Sequence, residues 1–304
     1  MINKLHRKNN SPWIKVIWIL FASVVVTAVL MFTLISYGVI GYIPDIEELQ
    51  NPKNKFATEL YTSDGVLLGR YFYGKDNRVA VAYADISPYM VQALISTEDA
   101  RFYGHSGIDV KSLIRSIVFR GLLGIKSAGG GSTITQQLAK LLYSPTAESI
   151  FQRALQKPIE WVIAAKLEKY YTKEEIIAMY LNQFDFLNNA VGIKSASQIY
   201  FNTTPDKLNI EQSAMLVGMC KNPSYFNPNR FPERTQGRRN TVLSQMEKMD
   251  YITTEQCDSL QLIPIKLDFR KADHKAGLAP YFREYLRQIL TAPEPKRKNY
   301  ASWQ

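Results

Sequence analysis

From Val16 to Ile35 the chain runs for twenty residues without a charged side chain, Trp18, Phe21 and Phe32 among them, and the uncharged stretch continues through Tyr37 to Ile43. That length matches the hydrocarbon core of a bilayer. It is longer and bulkier than the apolar core of a cleaved signal peptide, so a retained anchor is expected over residues 16–43, behind a short tail at 1–15. Pro44 to Lys55 carries two prolines and reads as a connector over 44–56. Ala57 to Tyr73 alternates apolar and polar positions around Asp64-Gly65, which predicts a hairpin. From Ser87 to about Cys220 apolar residues recur three and four apart, the helical period. Pro223 to Pro232, rich in Pro and Asn, marks an exit from this body, and helices are expected over Arg238 to Met249 and Pro280 to Leu290. The fold class is therefore mainly α, preceded by one transmembrane helix.

Composition changes this picture only at its edges. With 304 residues and 46% hydrophobic content, the chain holds one large domain or two small ones besides an anchor. Its 37 Lys and Arg against 27 acids give +10, which favours an anionic partner: nucleic acid, a membrane surface or a pyrophosphate-bearing substrate. Charge alone does not choose among them. Lys4, Arg7, Lys8 and Lys15 precede the apolar run and Asp45, Glu47 and Glu48 follow it, which predicts a cytoplasmic N-terminus and an external body. Cys220 and Cys257 sit in no metal-ligand or CxxC spacing; a disulfide and two buried thiols both stay open. Ile108 to Ser127 mixes Lys111, Arg115, Arg120 and Lys126 with seven large apolar residues, Leu113 to Leu123. It reads either as a bilayer-surface stretch or as a core helix with solvated cations.

The candidate chemistry lies in two blocks, Thr97-Glu98-Asp99-Ala100-Arg101-Phe102-Tyr103-Gly104-His105-Ser106-Gly107 and Gly130-Gly131-Ser132-Thr133-Ile134-Thr135-Gln136-Gln137-Leu138-Ala139-Lys140. Glu98 is a candidate general base, and Asp99 would raise its proton affinity if the two carboxylates converge. Phe102 and His105 are expected to shape the loop and hold Glu98. The glycines let backbone approach a ligand, and Ser132 or Thr133 caps the following helix. On that helix Thr133, Gln137 and Lys140 share a face, a hydroxyl, an amide and an ammonium suited to a diphosphate and a sugar. The Lys-Ser/Thr ending of a nucleotide P-loop is missing, and there is no Asp-x-Asp for a metal-bound nucleotide sugar.

In order and spacing these blocks resemble the peptidoglycan glycosyltransferases, glycosyltransferase family 51, found alone or as the N-terminal part of class A penicillin-binding proteins. The resemblance spans roughly residues 55–230 in five blocks. It implies a lysozyme-like helical lobe beside a smaller membrane-associated lobe, with a glycosyltransferase domain over 57–230. Glu98 matches the family's catalytic glutamate, which deprotonates the acceptor 4-hydroxyl as it attacks C1 of lipid II in a single inverting displacement. Lys157 and Glu160 line up with an Arg-Lys-x-x-Glu motif, making Glu160 the second catalytic carboxylate, with Gln156 in place of the arginine. Arg153, one turn earlier, would supply the missing charge on a continuous helix, but Pro158 argues against continuity. Asp99, Phe102, His105, Ser132, Thr133, Gln136, Gln137, Lys140, Arg153, Lys157, Glu168 and Asn182 are the implied substrate-site residues. Glu168 is read first as a salt-bridge partner and Asn182 as the residue reaching inward from a helix capped by a Thr172/Glu175 box.

The resemblance also allows a divalent cation, Mg2+ or Mn2+, at the diphosphate. The implied partners are lipid II, the growing glycan, membrane lipids and other wall-synthesis proteins, not nucleic acid; the implied location is the outer face of a bacterial inner membrane. Residues 231–304 resemble a linker toward a C-terminal domain, and no Ser-x-x-Lys occurs in 235–304. Two other readings are a lysozyme-like hydrolase using Glu98 as general acid and a catalytically silent scaffold.

Overall fold

The computed structural model describes residues 12–50, 57–71, 78–116, 118–119, 123–124, 130–144, 149–270 and 278–291. It is mostly helical. Helix α1, Pro12–Ser36, is uncharged after Lys15 and exposes nearly all its side chains, only Ile35 being buried. Its 25 residues extend about 37 Å, enough to cross a bilayer. The helix stops at Ser36, short of the anchor limit expected at residue 43, because the chain turns through Gly38 and Gly41, both at positive φ. The connector contains a short helix α2, Ile46–Gln50, started by Asp45, whose Oδ1 accepts the Glu48 N–H at 2.8 Å; residues 51–56 lie outside the described residues.

Strands β1, Thr58–Tyr61, and β2, Leu67–Tyr71, form the expected antiparallel hairpin, with Thr58 opposite Tyr71 and a register irregularity at Leu60/Tyr61. The core begins with α3, Pro88–Glu98, which buries Met90, Val91, Ala93, Leu94, Ile95 and Ser96. A helix apolar on every side belongs in the centre of a body rather than on its surface. Helix α9, Ile210–Cys220, has the same character, buried without a break from Ser213 to Cys220. Helix α10, Pro232–Lys248, packs on both, and α5, Ile134–Tyr143, α7, Lys173–Gln183, and α8, Ile193–Phe201, join the same core, α5 against α7 and α7 against α8. Each fully buried Leu, Ile or Met contributes roughly 1.5–3 kcal/mol, and the cluster from Met90 to Met246 supplies the bulk of the stability.

Helix α10 starts before the helix expected at Arg238 and packs against both α3 and α9. It is followed by α11, Thr254–Leu262, so the helical body runs beyond residue 230. Helix α12, Pro280–Leu290, falls where expected and touches the hairpin through Tyr71, whose hydroxyl donates to the Arg283 carbonyl.

Helix α6, Ile150–Tyr170, is continuous through Pro158, which corrects the expected break. An interior proline costs about 3 kcal/mol. Burial of Ile163, Ala164 and Leu167 in the core offsets that cost, together with stacking of Trp161 on Phe32 of α1 at 6.2 Å between ring centroids. Cys220 and Cys257 are both buried and free, which settles the cysteine question in favour of thiols.

Candidate active site

Glu98 and Asp99 diverge as α3 ends. Asp99 turns inward, where its carboxylate meets His105 Nε2 at 3.0 Å and accepts the backbone N–H of Ile134 at 3.1 Å. Ile134 is the first residue of α5, so the acid also sits at the positive end of that helix. The two carboxylates do not converge, because the Asp99 oxygens are spent on His105 and the start of α5. His105 likewise holds Asp99 rather than Glu98. Its Nε2–H donates, which leaves Nδ1 buried without a partner.

The loop behind Asp99 is wired to α5 by further bonds. Thr133 caps α5 by accepting the Gln136 N–H at 3.1 Å, and its hydroxyl donates to the Gly107 carbonyl at 2.7 Å. Gln136 Nε2 donates to the same carbonyl at 3.2 Å, and Ser132 Oγ donates to Gln136 Oε1 at 3.3 Å. Gly107 has φ +83, and a Cβ there would come within 2.8 Å of the Ala164 carbonyl on α6, so only glycine lets loop and helix meet. Phe102 is fully buried, with Lys173 Nζ 4.3 Å above its ring. Lys173 also donates to the His105 carbonyl at 2.7 Å and pairs with Glu168, which accepts the Thr135 hydroxyl at 2.6 Å. The Thr133 and Gln136 polar atoms are thus engaged within the fold, and Glu168 is an ion-pair partner.

Glu98 faces the other way. Gln137 Nε2 donates to its Oε2 at 2.9 Å, and Tyr180 Oη donates to Gln137 Oε1 at 3.1 Å, fixing which way the amide points. Arg238 Nη2 of α10 lies 3.7 Å from Glu98 Oε1. Burial pushes the Tyr180 phenol and the Cys220 thiol behind it far up, so both stay neutral. Glu98 opens on a cleft of ≈ 460 Å³ lined also by Arg101, Ser112, Arg115, Gly131, Gln245 and Lys248. Arg101 is tied to Asp109 at 2.7 Å, and Ser112 and Arg101 bonds outweigh burial to hold the Asp109 carboxyl down at about 2.

Sequence reasoning missed Arg238, Gln245, Lys248 and Tyr180. The available signal was periodic: Arg238 and Gln245 lie two turns apart on one face of a helix that otherwise reads as surface.

The remaining expected site residues lie elsewhere. Lys140 is exposed in the last turn of α5, while Thr133 is buried, so the shared polar face is not presented whole. Lys157 Nζ bonds Glu160 Oε2 at 2.6 Å within α6, with the carboxylate 2% exposed and the ammonium side chain 54%. The side chain of Arg153 lies outside the described residues. Asn182 does reach inward, but its amide is used at Val81, accepting that N–H at 3.1 Å and donating to that carbonyl at 2.9 Å. Among the described residues no group of three His, Cys, Asp or Glu side chains could hold a metal, and Glu160 already has Lys157. An all-protein cage would need such a group, whereas a Mg2+ or Mn2+ carried on a substrate diphosphate would need only one or two carboxylates.

A family profile described as Transglycosylase matches residues 64–247, well over half of the chain. The chain belongs to the transglycosylase family, glycosyltransferase family 51. Within this family it is 36% identical over 260 residues to penicillin-binding protein 1A of Escherichia coli (strain K12), covering 84% of this chain and 29% of that protein. Penicillin-binding protein 1F of Bacillus subtilis (strain 168) is 36% identical over 221 residues, covering 73% of this chain and 30% of that one. A crystal structure of penicillin-binding protein 1A from Haemophilus influenzae aligns with a TM-score of 0.38 at 22% identity, over 78% of this chain and 24% of that chain. The transglycosylase chain thus spans about 30% of the length of the curated relatives it matches. The matched segment ends inside α10, so the helix that carries Arg238 is part of the family domain.

Proposed function

We propose that this chain is a peptidoglycan glycosyltransferase that polymerises lipid II into β-1,4-linked glycan, with Glu98 as the general base. The observation that carries the reading is the arrangement of the Glu98 carboxylate, which lines the cleft: one oxygen is fixed by Gln137 and the other has no hydrogen bond among the described residues. A base needs that free lone pair. Oε1 takes the proton of the acceptor 4-hydroxyl as that oxygen bonds to C1 of the donor. The C1–O bond to the lipid diphosphate breaks, its electrons leaving with the diphosphate, and the anomeric centre inverts. Arg115 and Lys248 on the cleft supply cations for the leaving anion.

The hydrolase reading is less supported. A retaining hydrolase needs a second open carboxylate close to the first, whereas Asp99 is held by His105 and Glu160 by Lys157. The substrate is membrane-bound, which suits α1 as an anchor with its basic N-terminal side in the cytoplasm and the body outside. Among the described residues of 108–127, Val110, Ile114, Phe119 and Leu123 are exposed, which favours bilayer contact over a core helix; residues 117, 120–122 and 125–127 lie outside the described residues. Wall-synthesis proteins as further partners belong to the same reading.

The test is polymerisation of purified lipid II by the parent chain and by Glu98→Gln, with glycan length and released lipid diphosphate both measured. Product from the parent alone is expected. Equal product from both would remove Glu98 as the base, and glycan shortening without polymerisation would favour the hydrolase.

A further inference from the structure

We infer that Arg238 is a positioning residue for Glu98, the cation that aims the base while leaving its reactive oxygen free. The inference rests on the polymerase reading for its kinetics, but the pairing itself does not.

Four elements face Glu98, namely α5 with Gln137, α7 with Tyr180, α9 with Cys220 and α10 with Arg238. Of these groups only Arg238 is charged, and Asp99 is turned away to His105. A carboxylate withdrawn from water favours its neutral form unless a cation faces it. Glu98 is 15% exposed and Arg238 12%, so each is the other's main charge partner. At 3.7 Å the guanidinium attracts Oε1 without a short bond to it, whereas Gln137 bonds the opposite oxygen. Oε1 is therefore held beside a cation and stays available.

Once Oε1 has taken the acceptor proton, Arg238 is a buried cation without its counter-charge. That favours release of the proton to solvent or to the departing diphosphate before the next addition. Its Nε is buried without a partner, and Glu98 is the one carboxylate within ion-pair distance of Arg238 among the described residues.

The fold pays attention to this placement at Gly218. A Cβ there would lie 3.2 Å from Arg238 Cγ and 3.6 Å from the Arg238 carbonyl carbon. Glycine inside a helix costs roughly 0.5–1 kcal/mol relative to alanine. Here it lets α10 lie close enough to α9 for the guanidinium to reach α3.

The experiment compares Arg238→Met, which keeps the apolar stem against Gly218, with Arg238→Lys and Arg238→Ala, each in the full chain. For Arg238→Met we expect kcat for lipid II polymerisation to fall roughly 10- to 100-fold with KM within about twofold. Arg238→Lys should recover most of kcat, and guanidinium ion at sub-denaturing concentration should restore Arg238→Ala in part. In parallel, thermal unfolding of Glu98→Gln, Arg238→Met and the double variant forms a cycle that needs no activity; Tm losses that fail to add are expected. Additive Tm losses, or a Met variant within threefold of the parent in kcat, would overturn the inference. A Lys variant as damaged as the Met variant, with no guanidinium rescue, would also overturn it by reducing Arg238 to packing. Coupled Tm losses in a chain that does not polymerise lipid II would retain the pair and discard the polymerase.

Discussion

Glu98, at the C-terminal end of α3, and Glu160, midway along α6, are two carboxylates withdrawn from water and held in opposite ways. Glu160 is closed by its own helix: Lys157, three residues earlier, bonds it at 2.6 Å. Glu98 draws its surroundings from four other helices, and they bond only one of its oxygens. An ion pair within one helix is cheap to encode and leaves a neutral unit. A carboxylate held between helices distant in sequence demands a packed core, but it keeps an unbonded oxygen at a cleft residue. The first arrangement suits orienting a cation, the second suits accepting a proton.

The largest test of that contrast is the paired substitution. Glu98→Gln should lower lipid II polymerisation by about 10³-fold, within the range for loss of a general base. Glu160→Gln should cost only about 10- to 100-fold, through loosened control of Lys157. Equal losses would mean that the two acids share the chemistry and would break the comparison.

Next in size is Lys157→Met, which strands the Glu160 carboxylate in a site where it is 2% exposed. Breaking a fully buried pair costs about 3–5 kcal/mol, but the ammonium is half-exposed, so about 1–2 kcal/mol is expected from urea unfolding in detergent. Adding Glu160→Gln to Lys157→Met should recover most of that stability. If the double variant is no more stable than the single one, Glu160 was not held by Lys157.

Gln137→Ala tests the other side. It frees Glu98 Oε2 and removes the partner of the Tyr180 hydroxyl, and should lower kcat about 10-fold, as loss of one orienting hydrogen bond does. An unchanged kcat would show that Arg238 alone aims the base.

This contrast also explains how much was legible beforehand. The hairpin at Asp64-Gly65, the Thr133 cap and the Thr172/Glu175 box depend on residues within a few positions of each other, and local pattern predicts them. The Lys157 and Glu160 spacing is local too, and their shared face could be read directly. Pro158 misled because a backbone rule was applied without the tertiary burial that overrides it. Asp99 stayed undecided because adjacency in sequence says nothing about where a carboxylate points after a helix ends. Arg238 was invisible because its partner lies on α3, far back in the chain, and the approach depends on a glycine on a third helix, α9.

The smallest expected effect concerns Asp109, the opposite extreme from Glu98 because its oxygens are fully engaged. It caps α4, Val110–Arg115, by accepting the Ser112 N–H at 3.1 Å, and it takes Arg101 on both oxygens. These bonds override the burial that would raise it and bring its folded pKa to about 2, against an ordinary 3.8. Between those values the unfolded chain binds the proton and the folded chain does not, so stability rises with pH across that window. The contribution is fully present above about pH 4 and is lost as pH falls through about 2. Arg101 is 44% exposed, so solvent screens the pair, and about 1 kcal/mol is the expected size. Asp109→Asn should therefore narrow the gap between urea midpoints measured at pH 4.5 and pH 2.5, and parallel midpoints in parent and variant would show that the Arg101 and Ser112 bonds do not favour the charged form. Because Asp109 lines the cleft but has no open oxygen, polymerisation at neutral pH should fall far less than in Glu98→Gln, which separates a carboxylate that builds the site from one that works in it.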